Sequence, residues 1–308
     1  MRMDYVMPLS RTLSLQFFGI VMLCLLSCGR VSAGIRVQDD SGQPVVLEHP
    51  AARIVSLSPH ITELLFAVGA GEAVAGVTQY SDYPVAAQSL PRVGGGSGLD
   101  LEAILALQPD LVIAWGSGSP AGQLQRLHRL GIPVYVSEPR VMADIASSLA
   151  RLGRLSGHEA GAARAIHTFN ARHSALRQRY TSRRPVRVFY QVWQKPLMTV
   201  NGDHIVSDVI RLCGGRNVFA DLPELAPSVS LESVLQRDPE VIVAGGEDGE
   251  TQALAEQWQR WSGLGAVRGQ HLYTIRRELL VRHTPRILDG AQRLCEILEA
   301  VRVTPAIE

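Results

Sequence analysis

The sequence predicts an α/β protein of two Rossmann-like lobes joined by a single long backbone helix. Three observations carry this expectation. A helix–proline–strand phrase occurs twice: Asp100-Leu-Glu-Ala-Ile-Leu-Ala-Leu-Gln-Pro-Asp-Leu-Val-Ile-Ala-Trp-Gly116 returns as Ser230-Leu-Glu-Ser-Val-Leu-Gln-Arg-Asp-Pro-Glu-Val-Ile-Val-Ala-Gly-Gly246, with six of 17 positions identical. Short buried-type strands alternate with helices on both sides of the chain's middle, the pattern of a parallel or mostly parallel sheet. Between the two halves, residues 158–180 form one helical pattern without Gly or Pro after Gly161. The predicted division is a leader over 1–33, a first lobe over 34–157, a connecting helix over 158–181 and a second lobe over 182–308.

The elements follow in order. Val45-Val-Leu47 and Arg53-Ile-Val-Ser-Leu57 read as strands. Ser58 supplies an N-cap and Pro59 a first helical residue for a helix from Ile61 to Val68, which Gly69 ends. Strand Ala73–Val77 leads to a polar-aromatic loop, Gln79-Tyr-Ser-Asp-Tyr-Pro84. Gly94-Gly-Gly-Ser-Gly98 is a flexible approach to the first repeated helix, which Asp100 caps and Pro109 stops. Strand Leu111–Ala114, a helix through Leu130, strand Val134–Val136 and helix Met142–Leu155 complete the first lobe. On the connecting helix, Ile166, Phe169, His173, Leu176 and Tyr180 recur at three- and four-residue steps and make one packed face. The second lobe runs through strand Val186–Gln191, helix Ile205–Leu212, a stop at Gly214-Gly215 and the second repeated unit. Helix Thr251–Trp258, strand Leu272–Ile275 and helix Arg286–Val301 close it.

Composition narrows the function. The chain has 308 residues, 46% hydrophobic and 19% charged, which describes a globular protein with a real core. A net charge of +1 supplies no global field for nucleic acid or an anionic membrane. Arg164, Arg172, Arg177 and Arg179 read as the solvated face of the connector, so no nucleic-acid partner is assigned.

Arg2 and Arg11 precede an apolar run, Leu13–Leu26, that is short for a membrane span. Val31-Ser-Ala33 matches a signal-peptidase site, with a mature start near Gly34. A second cut, at Leu25-Leu-Ser-Cys28, would leave Cys28 lipidated. Either route takes the protein out of the cytoplasm. Of four cysteines, Cys24 lies in the leader and Cys28 is removed or lipidated. Cys213 and Cys295 remain, and in an oxidising compartment they are expected to pair; two buried free thiols are the alternative. A disulfide closing a loop of that length stabilises by roughly 4 kcal/mol in the chain-entropy model.

Ligands of open α/β sheets bind beyond the carboxyl ends of the strands. The residues predicted there are aromatic, small or hydrogen-bonding, with few fixed charges. Candidate ligand-binding residues are Ser58, Pro59, His60, Tyr80, Ser97, Trp115, Gly116, Trp193, Glu278 and Arg282. Such a set suits a large, partly apolar ligand carrying amide or hydroxyl groups. It suits a trianionic iron chelate less well. There is no Gly-x-Ser-x-Gly elbow, His-Glu-x-x-His or P-loop, so no enzyme is assigned. His60, His204 and His283 have no short metal-ligand spacing, and no metal or cofactor is assigned. Asp82 could act as a base but has no apparent nucleophile beside it.

Three segments carry a resemblance: Arg53-Ile-Val-Ser-Leu-Ser-Pro-His-Ile-Thr-Glu-Leu-Leu-Phe-Ala-Val-Gly69, Tyr80-Ser-Asp-Tyr-Pro84, and Leu101-Glu-x-Ile-x-x-Leu-x-Pro-Asp-Leu-Val-Ile-Ala-Trp115. With Cys213-Gly-Gly-x-Asn-Val-Phe219 and Pro285-Arg-Ile287, they resemble the iron/vitamin B12 periplasmic-binding proteins of ABC importers, most of all the cobalamin-binding branch. The resemblance extends over 53–303. It implies that Tyr80 and Trp115 line a corrinoid cleft and that Arg282 makes a polar contact at its edge. It implies a Cys213–Cys295 disulfide. It also implies that Glu102 and Glu232 dock onto arginines of the paired membrane subunits of an ABC importer, a match of pseudo-twofold to twofold symmetry. The expected protein is a monomer that captures cobalamin or a related corrinoid as a transported ligand. The alternatives are a ferric-siderophore or haem binder of the same fold, and an exported enzyme using Asp82 or His60. Two expected cleft aromatics are replaced here, by Gly96 and Ala226.

Overall fold

The computed structural model describes residues 1–3, 34–95, 98–246 and 250–303. The predicted cleavage and lipidation signals, including Cys24 and Cys28, lie outside the described residues, as do Gly96 and Ser97. From Ile35 onward the chain forms one compact unit.

The first lobe opens with an antiparallel pair, β1 (Ile35–Gln38) and β2 (Pro44–Leu47), in which Val37 faces Val45. Strand β3 (Ile54–Ser56) is buried at every position. It feeds α1 (Pro59–Val68), whose Ile61, Leu64, Leu65 and Val68 are fully buried along one stripe. Gly69, at φ 91°, takes the left-handed conformation that ends this helix. Then follow β4 (Val74–Val77), the two-residue strands β5 (Gly94–Gly95) and β6 (Gly98–Leu99), and α2 (Leu101–Ala106). Strand β7 (Leu111–Trp115), α3 (Ala121–Arg129), β8 (Val134–Ser137) and α4 (Met142–Ser156) complete the lobe.

The connector is α5 (Glu159–Tyr180), 22 residues and therefore about 33 Å long. Phe169 and Tyr180 are buried; Ile166, His173 and Leu176 are partly buried, while Arg164, Arg172, Arg177 and Arg179 are exposed. The stripe read from the sequence is the packed face. A methyl group at Gly161 would overlap the Val68 carbonyl, so the end of α1 rests directly on the connector.

The second lobe contains β9 (Val186–Gln191), α6 (Ile205–Leu212), β10 (Gly215–Asn217), α7 (Leu231–Arg237) and β11 (Val241–Gly245). It ends with α8 (Thr251–Trp258), α9 (Gly265–Arg268), β12 (Leu272–Ile275), α10 (Glu278–Val281) and α11 (Ile287–Val303).

Both main sheets are parallel and share one topology. The orders are β4-β3-β7-β8 and β10-β9-β11-β12. In each, the lobe's first strand lies between its second and third. The direction of winding reverses beside that strand, the point at which open α/β sheets leave a crevice. The repeated phrases supply α2-β7 and α7-β11, the equivalent units. Asp100 accepts a hydrogen bond from the Ala103 N–H at 2.9 Å, and Ser230 accepts from the Ser233 N–H at 3.1 Å, so both helices are capped alike.

The largest core cluster is continuous across the lobes, from Ile54 and Ile113 through Phe169 to Val188 and Val243. Asp208 on α6 accepts from the Met142 N–H on α4 at 2.9 Å, a second tie beside the connector. Cys213 and Cys295 form a disulfide that joins the end of α6 to α11.

The structure differs from the sequence reading at three places. Gly214, at φ 67°, ends α6 as read, but Gly215 also opens β10, an unforeseen strand that pairs in parallel with β9 through backbone groups rather than an apolar run. The glycine-rich approach contains a paired turn, Gly94 against Leu99. Ser58 is the N-cap of α1, but its hydroxyl bonds the His60 ring and caps no backbone N–H.

Candidate functional site

The crevice residues follow from the topology. In the first lobe, β3 ends into Ser58-Pro59-His60 and β7 ends at Trp115. In the second, β9 ends into Trp193 and β11 at Gly245. Trp115 and Gly245 occupy equivalent positions, so the first lobe carries an indole where the second has a glycine with Arg277 and Tyr190 packed against it.

Trp115 is 36% exposed. Its N–H donates to the Ser119 hydroxyl at 3.1 Å, and its ring lies over Gly118, where a methyl group could not fit. His60 meets the indole edge-on, with centroids 5.7 Å apart at 84°. Gly116 is required by a close approach: the Glu138 carboxylate lies against it and accepts from the Ser117 N–H at 2.7 Å and hydroxyl at 3.0 Å.

Ser58 and His60 are buried, His60 with 4% of its surface exposed. The Ser58 hydroxyl pairs with His60 Nδ1 at 2.7 Å, while Nε2 is buried without a hydrogen-bond partner. The His283 ring lies 5.8 Å from that of His60. Burial, then the neighbouring His283 and Arg282, lower the His60 pKa to about 3. Burial, partly opposed by Asp144, lowers His283 to about 4. Burial and then His283 lower His204 to about 4. The three histidines are thus neutral packing groups at physiological pH. Among the described residues, no group of three His, Cys, Asp or Glu could hold a metal ion.

Tyr80 is 75% exposed. Its backbone adopts φ 65°, a left-handed conformation that costs a non-glycine residue about 1–2 kcal/mol. The corner is therefore held from outside. Arg92 Nη1 donates to the Thr78 and Ser81 carbonyls, both at 3.1 Å. Arg282 Nη2 donates to the Tyr80 carbonyl at 3.2 Å, and Arg282 Nη1 donates to Asp82 at 2.6 Å and Glu63 at 2.8 Å. Burial would raise the Asp82 pKa, but the hydrogen bond and charge of Arg282 outweigh it and hold the carboxyl below its ordinary value.

Trp193 is 53% exposed; its indole N–H donates to the Lys195 carbonyl at 3.0 Å, and the Arg277 guanidinium lies 5.9 Å from its ring centre. Trp193, Lys195, Gly245, Gln257 and Arg277 line a hollow of about 460 Å³ on the second lobe. Trp258 is buried in the wall behind it and donates to Gln191 at 2.9 Å. Glu278 opens α10 and lies 3.7 Å from Arg276 and 4.0 Å from Arg286. Pro59 is partly buried at the start of α1.

Glu102 and Glu232 are exposed in the first turn of their capped helices. A carboxylate there is favoured by the helix dipole. Its own backbone N–H and the Ser230 hydroxyl hold the Glu232 carboxyl below its ordinary pKa. Each helix is joined to its strand by a short reversal, so its N-terminus returns to the carboxyl end of the sheet. The two glutamates therefore stand at the same end of their lobes as Trp115 and Gly245.

Sequence reasoning missed Glu63, Thr284 and Arg286. The Glu63 side chain is 2% exposed and accepts from Thr284 at 3.0 Å and Arg286 at 3.1 Å as well as from Arg282. It also missed Leu225, which is exposed beside Ala226.

Known proteins are similar to this chain in sequence and fold. A vitamin B12-binding protein of Vibrio parahaemolyticus is 38% identical over 258 residues, 82% of this chain and 91% of the relative. One from Yersinia pestis is also 38% identical over 258 residues, 84% of this chain and 90% of its own length. The crystal structure of the periplasmic vitamin B12 binding protein BtuF of Vibrio cholerae superposes with a TM-score of 0.77 at 38% identity, covering 83% of this chain and 99% of that one. The periplasmic haem-binding protein RhuT from Roseiflexus sp. RS-1 superposes with a TM-score of 0.71 at 24% identity, covering 82% and 99%, a likeness of fold. The model of the periplasmic binding protein family matches residues 54–279, from the first buried strand to the start of α10. With two lobes of common topology, one connecting helix and this match, the chain belongs to the periplasmic binding protein family.

Proposed function

We propose that this protein captures cobalamin or a related corrinoid in the cleft between its lobes and delivers it to the membrane subunits of an ABC importer. The observation that carries the reading is the exposed aromatic set at the strand ends, Tyr80, Trp115 and Trp193, on a chain 38% identical to vitamin B12-binding proteins across most of its length. A corrinoid has a broad apolar ring face and a rim of amides. Exposed rings suit the face, while Gln194, Gln257 and Glu278 offer polar partners for the rim.

The ligand is cargo rather than a cofactor. Cleft contacts are assigned to Tyr80, Ser97, Trp115 and Trp193, with Glu278 at the edge. Ser58, Pro59, His60 and Gly116 act beneath them by fixing the floor. Glu102 and Glu232 are the docking carboxylates for the importer. The protein works as a monomer in the periplasm, either released by cleavage after Ala33 or tethered through a lipid on Cys28. Among the described residues, no helix is long and apolar enough to cross a membrane.

Absorbance spectra of purified protein titrated with cyanocobalamin, haemin or a ferric siderophore test the ligand. A shift or quenching with cyanocobalamin alone supports the reading. Saturable binding of haemin without cyanocobalamin binding overturns it in favour of a haem carrier of the same fold.

A further inference from the structure

We infer that Arg282 is a positioning residue: from the second lobe it fixes the Tyr80 corner of the first, and through that corner it sets how tightly the corrinoid is held. The inference rests on the corrinoid reading.

The guanidinium is already occupied. It holds Glu63 at 2.8 Å, Asp82 at 2.6 Å and the Tyr80 carbonyl at 3.2 Å, contacts that cross about 200 positions of sequence. Its side chain is only 15% exposed, which leaves little of it for a ligand. Glu63 is in turn held by Thr284 and Arg286, and the Arg286 guanidinium stacks 3.8 Å from the Tyr83 ring centre. Arg282 and Arg286 thus face Glu63 and Asp82, with Glu278 at 4.0 Å from Arg286. A buried carboxylate such as Glu63 persists only when it is paired and hydrogen-bonded.

The geometry needs arginine. The planar fork serves Glu63 and Asp82 from Nη1 and the Tyr80 carbonyl from Nη2, whereas an ammonium donates from a single nitrogen and cannot hold that spread at fixed angles. The Thr78, Tyr80 and Ser81 carbonyls are each anchored, the first and last by Arg92 and the middle one by Arg282. The phenol ring remains the exposed part of the corner. Without Arg282, the left-handed Tyr80 would relax and the ring would lose its fixed presentation.

Double-mutant cycles with cyanocobalamin, measured by calorimetry, test this. Arg282→Gln and Tyr80→Ala should each weaken binding by roughly tenfold, and the double variant should be no weaker than the worse single within about twofold. Arg282→Gln combined with Trp115→Ala should multiply the two losses. Multiplying losses for Arg282→Gln with Tyr80→Ala would overturn the inference. A second arm needs no ligand. Chymotrypsin should cut the Tyr80–Ser81 bond at least about tenfold faster in Arg282→Gln than in the wild type, as opening of the corner lets the protease in. The nearby Tyr83 is followed by Pro84 and resists cleavage, so the fragment reports on Tyr80. Unchanged cleavage there overturns the inference whatever the ligand. Absence of cyanocobalamin binding by the wild type, with faster cleavage in the variant, would refute the corrinoid reading and leave the positioning role standing.

Discussion

Acid should destabilise this protein through three histidines, His60, which is buried, and His204 and His283, which are partly buried. His60 is lowered to about 3, and His204 and His283 to about 4, against an ordinary value of 6.5. Between those values and 6.5 the unfolded chain binds protons that the folded one refuses. Stability is therefore fully present above about pH 6.5 and lost as pH falls toward the folded values. Each histidine contributes about 1.4 kcal/mol per pH unit across this window. From pH 6.5 to pH 5 that is about 2 kcal/mol for a histidine taken alone, and because His283 contributes to the shifts of both His60 and His204 the three losses do not simply add. The environment gives little relief. His60 has Ser58 on one nitrogen, no partner on the other, and Arg282 and His283 nearby. Asp144 is the carboxylate that favours a charged His283. Urea unfolding followed by circular dichroism should give a midpoint that is flat above pH 7 and falls steeply below pH 6.5. His60→Gln should make the fall shallower. A midpoint constant down to pH 5, or an unchanged slope in the variant, would refute the reasoning.

Other outcomes follow from the same structure. Trp115 leaves 36% of its surface exposed, about 90 Å² of a large indole, and covering it is worth about 2 kcal/mol. Trp115→Ala should therefore weaken cyanocobalamin binding roughly 30-fold in calorimetry, and a change below about twofold would remove it from the cleft. Reduction of Cys213–Cys295, or its replacement by two alanines, should lower unfolding free energy by roughly 4 kcal/mol, since the bridge closes a separation of 82 residues. Denaturant curves measure the loss, and an unchanged midpoint would deny the bridge a stabilising role. Glu102→Ala with Glu232→Ala should abolish corrinoid uptake in cells while leaving affinity in solution unchanged. Normal uptake by the double variant would contradict the docking assignment.

Much of the fold was legible because its cause is local. The repeated phrase carries a cap, an amphipathic turn, a proline stop and an apolar strand. Those signals suffice for α2-β7 and α7-β11, and the structure places both units at equivalent positions of two sheets with one topology. The stripe on α5 was legible for the same reason. Strand β10 was not, because Gly215-Arg216-Asn217 has no apolar run and is ordered by backbone pairing with β9. In the candidate site, the exposed rings at strand ends, Trp115 and Trp193, could be foreseen from the sequence. The site was not legible where contacts cross the chain. Glu63 sits in an apolar stretch of α1, and only the fold brings Arg282, Thr284 and Arg286 to it. Gly116 was read as a ligand neighbour, and it also lies against the carboxylate of Glu138. Ser58 and His60 belong to the cleft by position, yet burial assigns them to its floor.

The replacements at Gly96 and Ala226 leave the cleft with fewer rings than the cobalamin-binding pattern contains. Leu225, exposed beside Ala226, is the apolar surface that remains there. Tyr80, Trp115 and Trp193 should nonetheless suffice to hold a corrinoid. In calorimetric titration, the mature protein should bind cyanocobalamin saturably and one-to-one at micromolar or lower concentration; no detectable heat or spectral change in that range would overturn the corrinoid reading.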